Sequence, residues 1–337
     1  MMFSIIIPSR TVNDYLKENI SHLKELYYED FEVILVLDGE DRENLIDDPR
    51  FKITVAGAKG PGEKRNLGAK HASGDILVFL DDDAYPPKDW LDKAEKTFNT
   101  NEIYALGAPG ITPPNAGFLE RCSGQVLKSW LAGAQAVCRY TPKKAKWIND
   151  YPSVNLFIKK SAFEKVNGFS VDFWPGEDTK LCLDLVKKFG SNFLYDPSPF
   201  VYHHRRNLFL PHLKQVSRYA RHRGQFARIY PENSRLISYL VPSFFVIGLV
   251  FGFIASFFSP FLRSVYFSVL FIYTCLLIIE FVSSSLEEDN YLVGVYTALG
   301  IFLTHVIYGV NFVIGFIKRP VLQLRHVDSK TKNYLGG

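Results

Sequence analysis

The sequence predicts an α/β domain with a mostly parallel sheet, followed by a basic amphipathic segment and a C-terminal helical transmembrane region. Three observations carry this prediction. Short apolar runs alternate with helix-period stretches over the first hundred residues, the pattern of a parallel sheet covered by helices on both faces. One run, Ile76–Leu80, ends directly in three carboxylates, Asp81-Asp82-Asp83. Residues 236–317 are dominated by Phe, Leu, Ile and Val. At 337 residues the chain exceeds the usual size of a single domain, so more than one part is expected.

Phe3–Ile7 is an apolar run stopped by Pro8 and forms a first buried strand. Asn13 or Asp14 caps a helix that reaches about Leu26, with Leu16, Ile20, Leu23 and Leu26 on one stripe. Phe31–Leu37 is a second strand, ending at Asp38-Gly39, and Phe51–Val55 is a third. Gly60-Pro61-Gly62 turns into a helix from Glu63 to about Ala72, which Ser73-Gly74 ends, and Ile76–Leu80 is the fourth strand. Beyond residue 100 the pattern is mixed. Val154–Ile158 and Phe200–His203 have the composition of strands. Ser161–Val166 and Glu177–Lys188 read as helices, the second with Gly190 as its C-cap.

Residues 205–235 carry Arg205, Arg206, Lys214, Arg218, Arg221, Arg223, Arg228 and Arg235 against one acid, Glu232. Phe209, Leu213, Val216 and Ala220 recur at helical spacing. This combination predicts an interfacial helix with its cations toward anionic lipid headgroups. The basic charge is thereby assigned to membrane lipids, and no nucleic-acid partner is expected. Leu236–Phe258 is charge-free and long enough to span a bilayer. Ser264–Ile279 is shorter, with Glu280 at its end, and Tyr291–Ile317 is again long and charge-free.

The four cysteines, Cys122, Cys138, Cys182 and Cys275, show no metal or disulfide spacing, which fits a reducing compartment. The N-terminus lacks the basic region and cleavage site of a signal peptide, so the α/β part is expected in the cytoplasm. The basic stretch from Lys318 to Lys332 belongs on the cytoplasmic side as well, whereas Glu287-Glu288-Asp289 suits an outside loop. Three full spans would put that tail outside. The first apolar segment is therefore expected to be re-entrant or interfacial, with Pro242, Gly248 and Gly252 permitting a bend. The expected division is an α/β catalytic domain over 1–205, the interfacial segment over 206–235, transmembrane or re-entrant helices over 236–320 and a basic cytoplasmic tail over 321–337. The chain is expected in the cell membrane as a multi-pass protein with its α/β domain in the cytoplasm.

Carboxylates at the C-terminal edge of a sheet strand face the crevice where open α/β sheets bind ligands. Three adjacent ones repel, and they stay ionised together most easily around a cation. Mg²⁺ and Mn²⁺ take such oxygen ligands and commonly bridge them to a diphosphate. The triplet thus points to a metal site that handles a nucleotide diphosphate.

Five further segments extend this: Ser4-Ile5-Ile6-Ile7-Pro8-Ser9-Arg10, Val33 to Gly39, Gly60-Pro61-Gly62-Glu63-Lys64-Arg65-Asn66-Leu67-Gly68, the stretch Ala84 to Leu91 after the triplet, and Trp174-Pro175-Gly176-Glu177-Asp178-Thr179. In this order they resemble membrane-attached members of glycosyltransferase family 2, which have the GT-A fold and include bacterial and archaeal surface-polysaccharide enzymes. The resemblance spans roughly residues 2–230. It implies that Pro8, Ser9, Arg10 and Asp38 meet the nucleotide, and that Lys64, Arg65 and Asn66 lie at its diphosphate. Backbone N–H groups at a helix start suit phosphate in their own right.

The resemblance further implies that Asp81 contacts the sugar-nucleotide, and that Asp81 and Asp83 hold Mn²⁺ or Mg²⁺. A His of Tyr202-His203-His204-Arg205-Arg206, taken as His204, completes the metal site, and Asp82 is a solvated neighbour. Asp178 is the implied general base, and Glu177 positions the acceptor or that base. Lys180 and Asp184 replace residues of opposite charge that are usual in this helix, and their spacing lets them pair across one turn. Asn155 and Trp174 belong to the acceptor side. Gln215-Val216-Ser217-Arg218-Tyr219 is similar to a Gln-x-x-Arg-Trp motif of processive synthases and puts Gln215 and Arg218 there too. Tyr219 in the Trp position argues against processivity. The implied activity is inverting, metal-dependent transfer of a hexose from a nucleotide-sugar, expected to be UDP-linked, to a lipid-linked saccharide acceptor at the cytoplasmic membrane face. A polyprenyl-phosphate glycosyl synthase and a nucleotide-binding membrane scaffold are the alternatives.

Overall fold

A computed structural model describes residues 1–39 and 48–318. The tail expected over 321–337 lies outside the described residues. The chain forms two compact units, Met1–Pro113 with Thr141–His204, and residues 114–140 with 205–318.

The first unit opens with β1 (Phe3–Pro8), α1 (Asp14–Lys24), β2 (Phe31–Leu37), β3 (Phe51–Val55), α2 (Pro61–His71) and β4 (Ile76–Leu80). Every residue of β2 and β4 is buried, as strands covered by helices on both faces must be. The α1 start is fixed by Asn13, whose side chain accepts the Leu16 N–H, and Leu16, Ile20 and Leu23 are buried. The α2 helix begins at Pro61 rather than Glu63, because a proline at the first helical position gives up an N–H that would be unpaired there anyway.

Next come β5 (Ala84–Tyr85), α3 (Trp90–Thr100), β6 (Ala105–Gly107) and β7 (Gly110–Ile111). The chain then leaves for the second unit through α4 (Phe118–Lys128) and α5 (Trp130–Gly133). It returns in β8 (Lys146–Trp147), β9 (Asn155–Lys159), α6 (Lys160–Lys165), α7 (Glu177–Phe189), β10 (Phe193–Tyr195) and β11 (Val201–His203). The main sheet has the order β3-β2-β1-β4-β9-β6-β10-β8. It is parallel except at β9, antiparallel to β4 and β6, and at β8, antiparallel to β10. A small sheet, β5-β11-β7, pairs His203 with Ala84. That register brings β11 to the residues just after β4, where the carboxylates lie.

The second unit continues with α8 (Leu210–Ile229), α9 (Pro231–Ser234), α10 (Ile237–Ile247), α11 (Phe253–Ala255), α12 (Pro260–Glu287) and α13 (Tyr291–Ile317). Pro242 lies inside α10, and a π-helical turn at Gly248–Gly252 carries α10 into α11. Ile237–Ala255, Pro260–Glu287 and Tyr291–Ile317 are each long and apolar enough to cross a membrane. The middle one exceeds the Ser264–Ile279 stretch read from the sequence, because Glu280 does not end the helix. The buried stripe of α8 is His212, Val216, Ala220, Gly224 and Ala227, turned partly away from the predicted Phe209–Leu213 side. It packs on α13, and the two helices approach so closely that a Cβ on Gly224 would meet the Phe312 carbonyl and one on Gly315 the Arg221 carbonyl.

Candidate active site

The site gathers at the C-terminal ends of β1, β2 and β4 in the first unit. The turn after β4 carries Asp81, Asp82 and Asp83, and β11 delivers His203 beside them. His203 Nε2 lies 3.1 Å from Asp83 Oδ1. One ligand atom from each of Asp81, Asp83 and His203 lies within 4.8 Å of the others, so the three side chains converge on one point. His204, expected here, goes elsewhere: adjacent residues of an extended strand point to opposite faces, and its Nε2 meets Glu18 Oε2 at 2.8 Å. The signal that selects His203 is its pairing with Ala84, which local sequence does not reveal.

Two successive cations at the start of α2 reach into the site, and both are spent on acids. Lys64 is buried, pairs with Asp38 and donates to the Ser9 carbonyl. Arg65 is buried and forks between two carboxylates, Asp81 Oδ1 at 2.7 Å and Glu177 Oε1 at 3.1 Å. Its guanidinium also lies over the Phe169 ring, 5.5 Å from the centroid. Its Nε is buried with no hydrogen-bond partner. Arg65 therefore ties the carboxylate turn after β4 to the start of α7.

Asn66, expected at the donor, instead clamps a loop. Its Nδ2 donates to the Phe169 carbonyl and its Oδ1 accepts the Phe169 N–H, both at 2.8 Å. Gly168 enters that loop at φ +69, and a Cβ there would lie 2.5 Å from Asn66 Oδ1, so glycine is required by both strain and space.

Asp82 is not a solvated neighbour. It accepts from Ser9 Oγ at 2.5 Å and from Asn13 Nδ2 at 3.2 Å, which pins the β1–α1 loop to the carboxylate turn. Burial, then the charge of Asp83, raises its carboxyl above the ordinary range. Of the other residues at the nucleotide end, Pro8 closes β1, Ser9 is buried, and Arg10 is exposed while its carbonyl accepts the Asp38 N–H at 3.1 Å.

Glu177 and Asp178 open α7 after Gly176, which sits at φ +119. Glu177 is buried and its carboxyl is pushed up to about 7, first by burial and then by the charge of Asp178, against the pull of Arg65. Asp178 is half-buried, and its Oδ1 accepts the Thr179 N–H at 2.7 Å. Lys180 pairs with Asp184 at 2.6 Å, as their spacing predicts. Trp174 is half-buried in the loop before Gly176.

Asn155, expected on the acceptor side, is fully buried. Its Oδ1 accepts from Trp90 Nε1 at 3.3 Å and its Nδ2 donates to the Pro199 carbonyl at 2.8 Å, so its amide is occupied inside the fold. Gln215 and Arg218 lie on α8 in the second unit, Gln215 donating to the Tyr219 hydroxyl at 3.3 Å and Arg218 exposed.

The family model described as "Glycosyl transferase family 2" matches residues 4–165, the stretch that holds β1 to β9 and the carboxylate turn. The chain carries a glycosyltransferase family 2 domain. A pre-mycofactocin glycosyltransferase of Mycobacterium tuberculosis is 29% identical over 209 residues, a match that covers 60% of this chain and 43% of that relative. The chain thus spans less than half of that protein. A glucosyl-dolichyl phosphate glucuronosyltransferase of Haloferax volcanii is 21% identical over 237 residues, covering 60% of this chain and 69% of the relative. Among solved structures, a mannosyltransferase from Pyrobaculum calidifontis in complex with GDP-Man and Mn²⁺ superposes with a TM-score of 0.55. At 16% identity it covers 93% of this chain and 86% of its own. The family 2 domain accordingly has the GT-A fold, with β1, β2 and β4 presenting the site residues and β11 completing the acidic cluster.

Proposed function

We propose that this chain is an inverting, metal-dependent glycosyltransferase. It moves a hexose from a nucleotide-sugar, UDP-linked in our reading, to a lipid-linked saccharide at the cytoplasmic face of the cell membrane, in which it sits as a multi-pass protein. The observation that carries the reading is the convergence of Asp81, Asp83 and His203 at the edge of β4 inside a family 2 domain. Two carboxylates and an imidazole fit a divalent ion, and the nitrogen donor suits Mn²⁺ better than Mg²⁺. Held by these three residues, such an ion supplies positive charge to the leaving diphosphate. The solved Pyrobaculum relative, which holds GDP-Man and Mn²⁺, supports the same cofactor. The Haloferax relative, named for action on glucosyl-dolichyl phosphate, supports a lipid-linked acceptor, as do three helices with the length and composition of membrane spans.

The chain's own residues divide the remaining work. Asp178 takes the proton of the acceptor hydroxyl as that oxygen bonds to the anomeric carbon on the face opposite the departing diphosphate. Glu177, held by Arg65, sets the start of α7 and so the position of Asp178. Asp38 and the Ser9–Arg10 turn border the nucleotide end. In the buried Arg65 bridge, the donor-side Asp81 and the acceptor-side Glu177 share one cation, which keeps the two halves of the site in a fixed relation.

The test is sugar transfer by the purified protein in native lipid extract. A panel of nucleotide-sugars is offered with Mn²⁺, Mg²⁺ or chelator, and Asp83→Ala and Asp178→Asn are run in parallel. Lipid-associated label that needs metal, Asp83 and Asp178 is expected. Nucleotide binding without transfer to any lipid would leave a scaffold as the better reading. Full transfer by Asp178→Asn would remove the base assignment and favour a lipid phosphate as acceptor.

A further inference from the structure

One stretch of the first unit is basic, aromatic and uncovered, and the active site makes no use of it. Thr141–Ile148 reads Thr-Pro-Lys-Lys-Ala-Lys-Trp-Ile, with three lysines, one tryptophan and no acid. Residues 142–147 are exposed without a break, and Trp147 is 56% exposed. Among the described residues, no carboxylate pairs with Lys143, Lys144 or Lys146. The basic stretch marked out by the sequence, residues 205–235, is a different one.

Local structure holds this stretch outward. At its base the Tyr195 hydroxyl accepts the Lys143 N–H at 3.1 Å and donates to the Thr141 carbonyl at 3.5 Å, and Tyr195 itself is fully buried. The β8 strand then pairs with β10, Lys146 opposite Tyr195 and Trp147 opposite Leu194. The Ile148 N–H donates to the Phe193 carbonyl at 2.9 Å. The lysines and the tryptophan are thus presented from a pinned loop and strand. As β8 ends the main sheet, it has a partner on one side only. Adjacent strand residues point to opposite faces, so the exposure of both Lys146 and Trp147 means that neither face of this edge is covered.

Lysines alone would be the ordinary guard of a sheet edge, which they keep from pairing with another chain. A tryptophan is no part of that defence. It leaves a large apolar ring in water beside three cations, at a hydrophobic cost. A surface that is both negative and partly apolar offsets that cost and takes up the charge. The interface of a bilayer with anionic lipids is such a surface. Tryptophan settles there at headgroup level, and lysine stems lie along it with their ammonium groups among the phosphates. Thr141 also follows directly on residues 114–140, which belong to the unit whose helices have the length and composition of membrane spans.

We propose that Lys143, Lys144, Lys146 and Trp147 form a lipid-docking surface of the first unit, and that its partner is the headgroup layer of an anionic phospholipid bilayer. The three ammonium groups take the lipid phosphates and the indole enters between the headgroups. Docking needs neither metal nor nucleotide-sugar. A lysine near an anionic surface is worth roughly fivefold in the docked population, so loss of all three should reduce it on the order of 100-fold.

The test reads docking without enzyme activity. In the full chain with Cys275→Ala, Ala145→Cys carries a polarity-sensitive fluorophore between the lysines. The protein is placed in lipid nanodiscs of phosphatidylcholine alone or mixed with phosphatidylglycerol, with a nitroxide quencher on the lipid headgroup. Strong quenching in anionic discs is expected, with little in neutral ones, and it should fall as salt rises from about 50 mM to about 500 mM. Lys143→Gln, Lys144→Gln and Lys146→Gln combined should abolish it, and Trp147→Ala should weaken it. Lipid and salt are varied on one and the same chain, so the result does not hang on the folding of a variant. Quenching that is absent, or equal in neutral and anionic discs, would overturn the proposal. So would disulfide cross-linking of unlabelled Ala145→Cys between copies in place of quenching, which would give the patch to a second chain. A blue shift with dextran sulfate in neutral discs, without quenching in anionic ones, would give it to a soluble polyanion and overturn the proposal as well.

Discussion

Replacing Glu177 with glutamine should make the folded first unit more stable at pH 8 and change it little at pH 4. The buried Glu177 carboxyl is pushed from an ordinary 4.5 up to about 7 by burial, with the charge of Asp178 second and Arg65 only partly opposing them. A carboxyl raised on folding holds a proton that the unfolded chain has already released. Its contribution is therefore neutral below pH 4.5 and is lost as pH rises through 7. At ~1.36 kcal/mol per pH unit, the interval from 4.5 to about 7 corresponds to roughly 3 kcal/mol at most by pH 8. Glutamine keeps the shape and the acceptor for Arg65 but cannot ionise, so the loss should vanish. The assay is the apparent unfolding midpoint between pH 4 and 8, in chelator, for wild type and Glu177→Gln. A variant less stable than wild type at pH 8, or an equal difference at both pH values, would refute the reasoning. It would mean that Glu177 is a charge welcomed by the fold rather than one held there at a cost.

Other perturbations should be equally readable. In Mn²⁺ titrations followed by electron paramagnetic resonance, Asp83→Asn and His203→Ala should each weaken binding by about 10- to 100-fold or more, whereas His204→Ala should change it little. Asn66→Ala orphans both the Phe169 N–H and its carbonyl and should cost about 1–3 kcal/mol in denaturation. Gly315→Ala drives a methyl into the Arg221 carbonyl and should lower the thermal midpoint in detergent, at a cost of about 1–3 kcal/mol. Burial pushes His212 down to about 4, so stability should fall as pH drops from 6.5 toward 4, by up to roughly 3 kcal/mol; His212→Gln should flatten that acid limb.

The parallel half of the sheet was legible because its strands are continuous apolar runs and its helices carry clear punctuation such as Asn13 and Pro61. In the other half β9 was legible as Val154–Ile158, as was β11 of the small sheet, but the remaining strands were not. The strands β5, β7 and β8 are two residues each and β6 and β10 three, too short for any periodicity. They exist because partners distant in sequence pair with them, as Tyr195 does with Gly107. The α3 helix was hidden by the Pro86-Pro87 turn before it. The same limit explains the site. Asp81, Asp83, Glu177 and Asp178 stand out as clustered acids beside strand and helix ends, but the choice of His203 over His204 rests on one strand register. The occupation of Asn155 and Asn66 inside the fold rests on partners at Pro199 and Phe169, which no local pattern announces.

The site's charge balance links these observations. Six acids, Asp38, Asp81, Asp82, Asp83, Glu177 and Asp178, are served by two buried cations, Lys64 and Arg65, and both cations are already paired. The fold meets part of the excess at Glu177, whose carboxyl burial pushes up to about 7, and burial raises the Asp82 carboxyl as well. It answers another part by hydrogen bonds from Ser9 and Asn13 to Asp82. Asp81 and Asp83 are left converging with His203 on one point. A diphosphate that enters such a surface meets net negative charge and gains nothing from Lys64 or Arg65 unless their carboxylate partners are given up. A divalent ion between Asp81, Asp83 and His203 reverses that sign locally. Donor binding and metal binding should therefore fail together in Asp83→Asn. Lys64→Met should instead weaken the donor site through the loss of the Asp38–Ser9 scaffold, with the metal affinity kept.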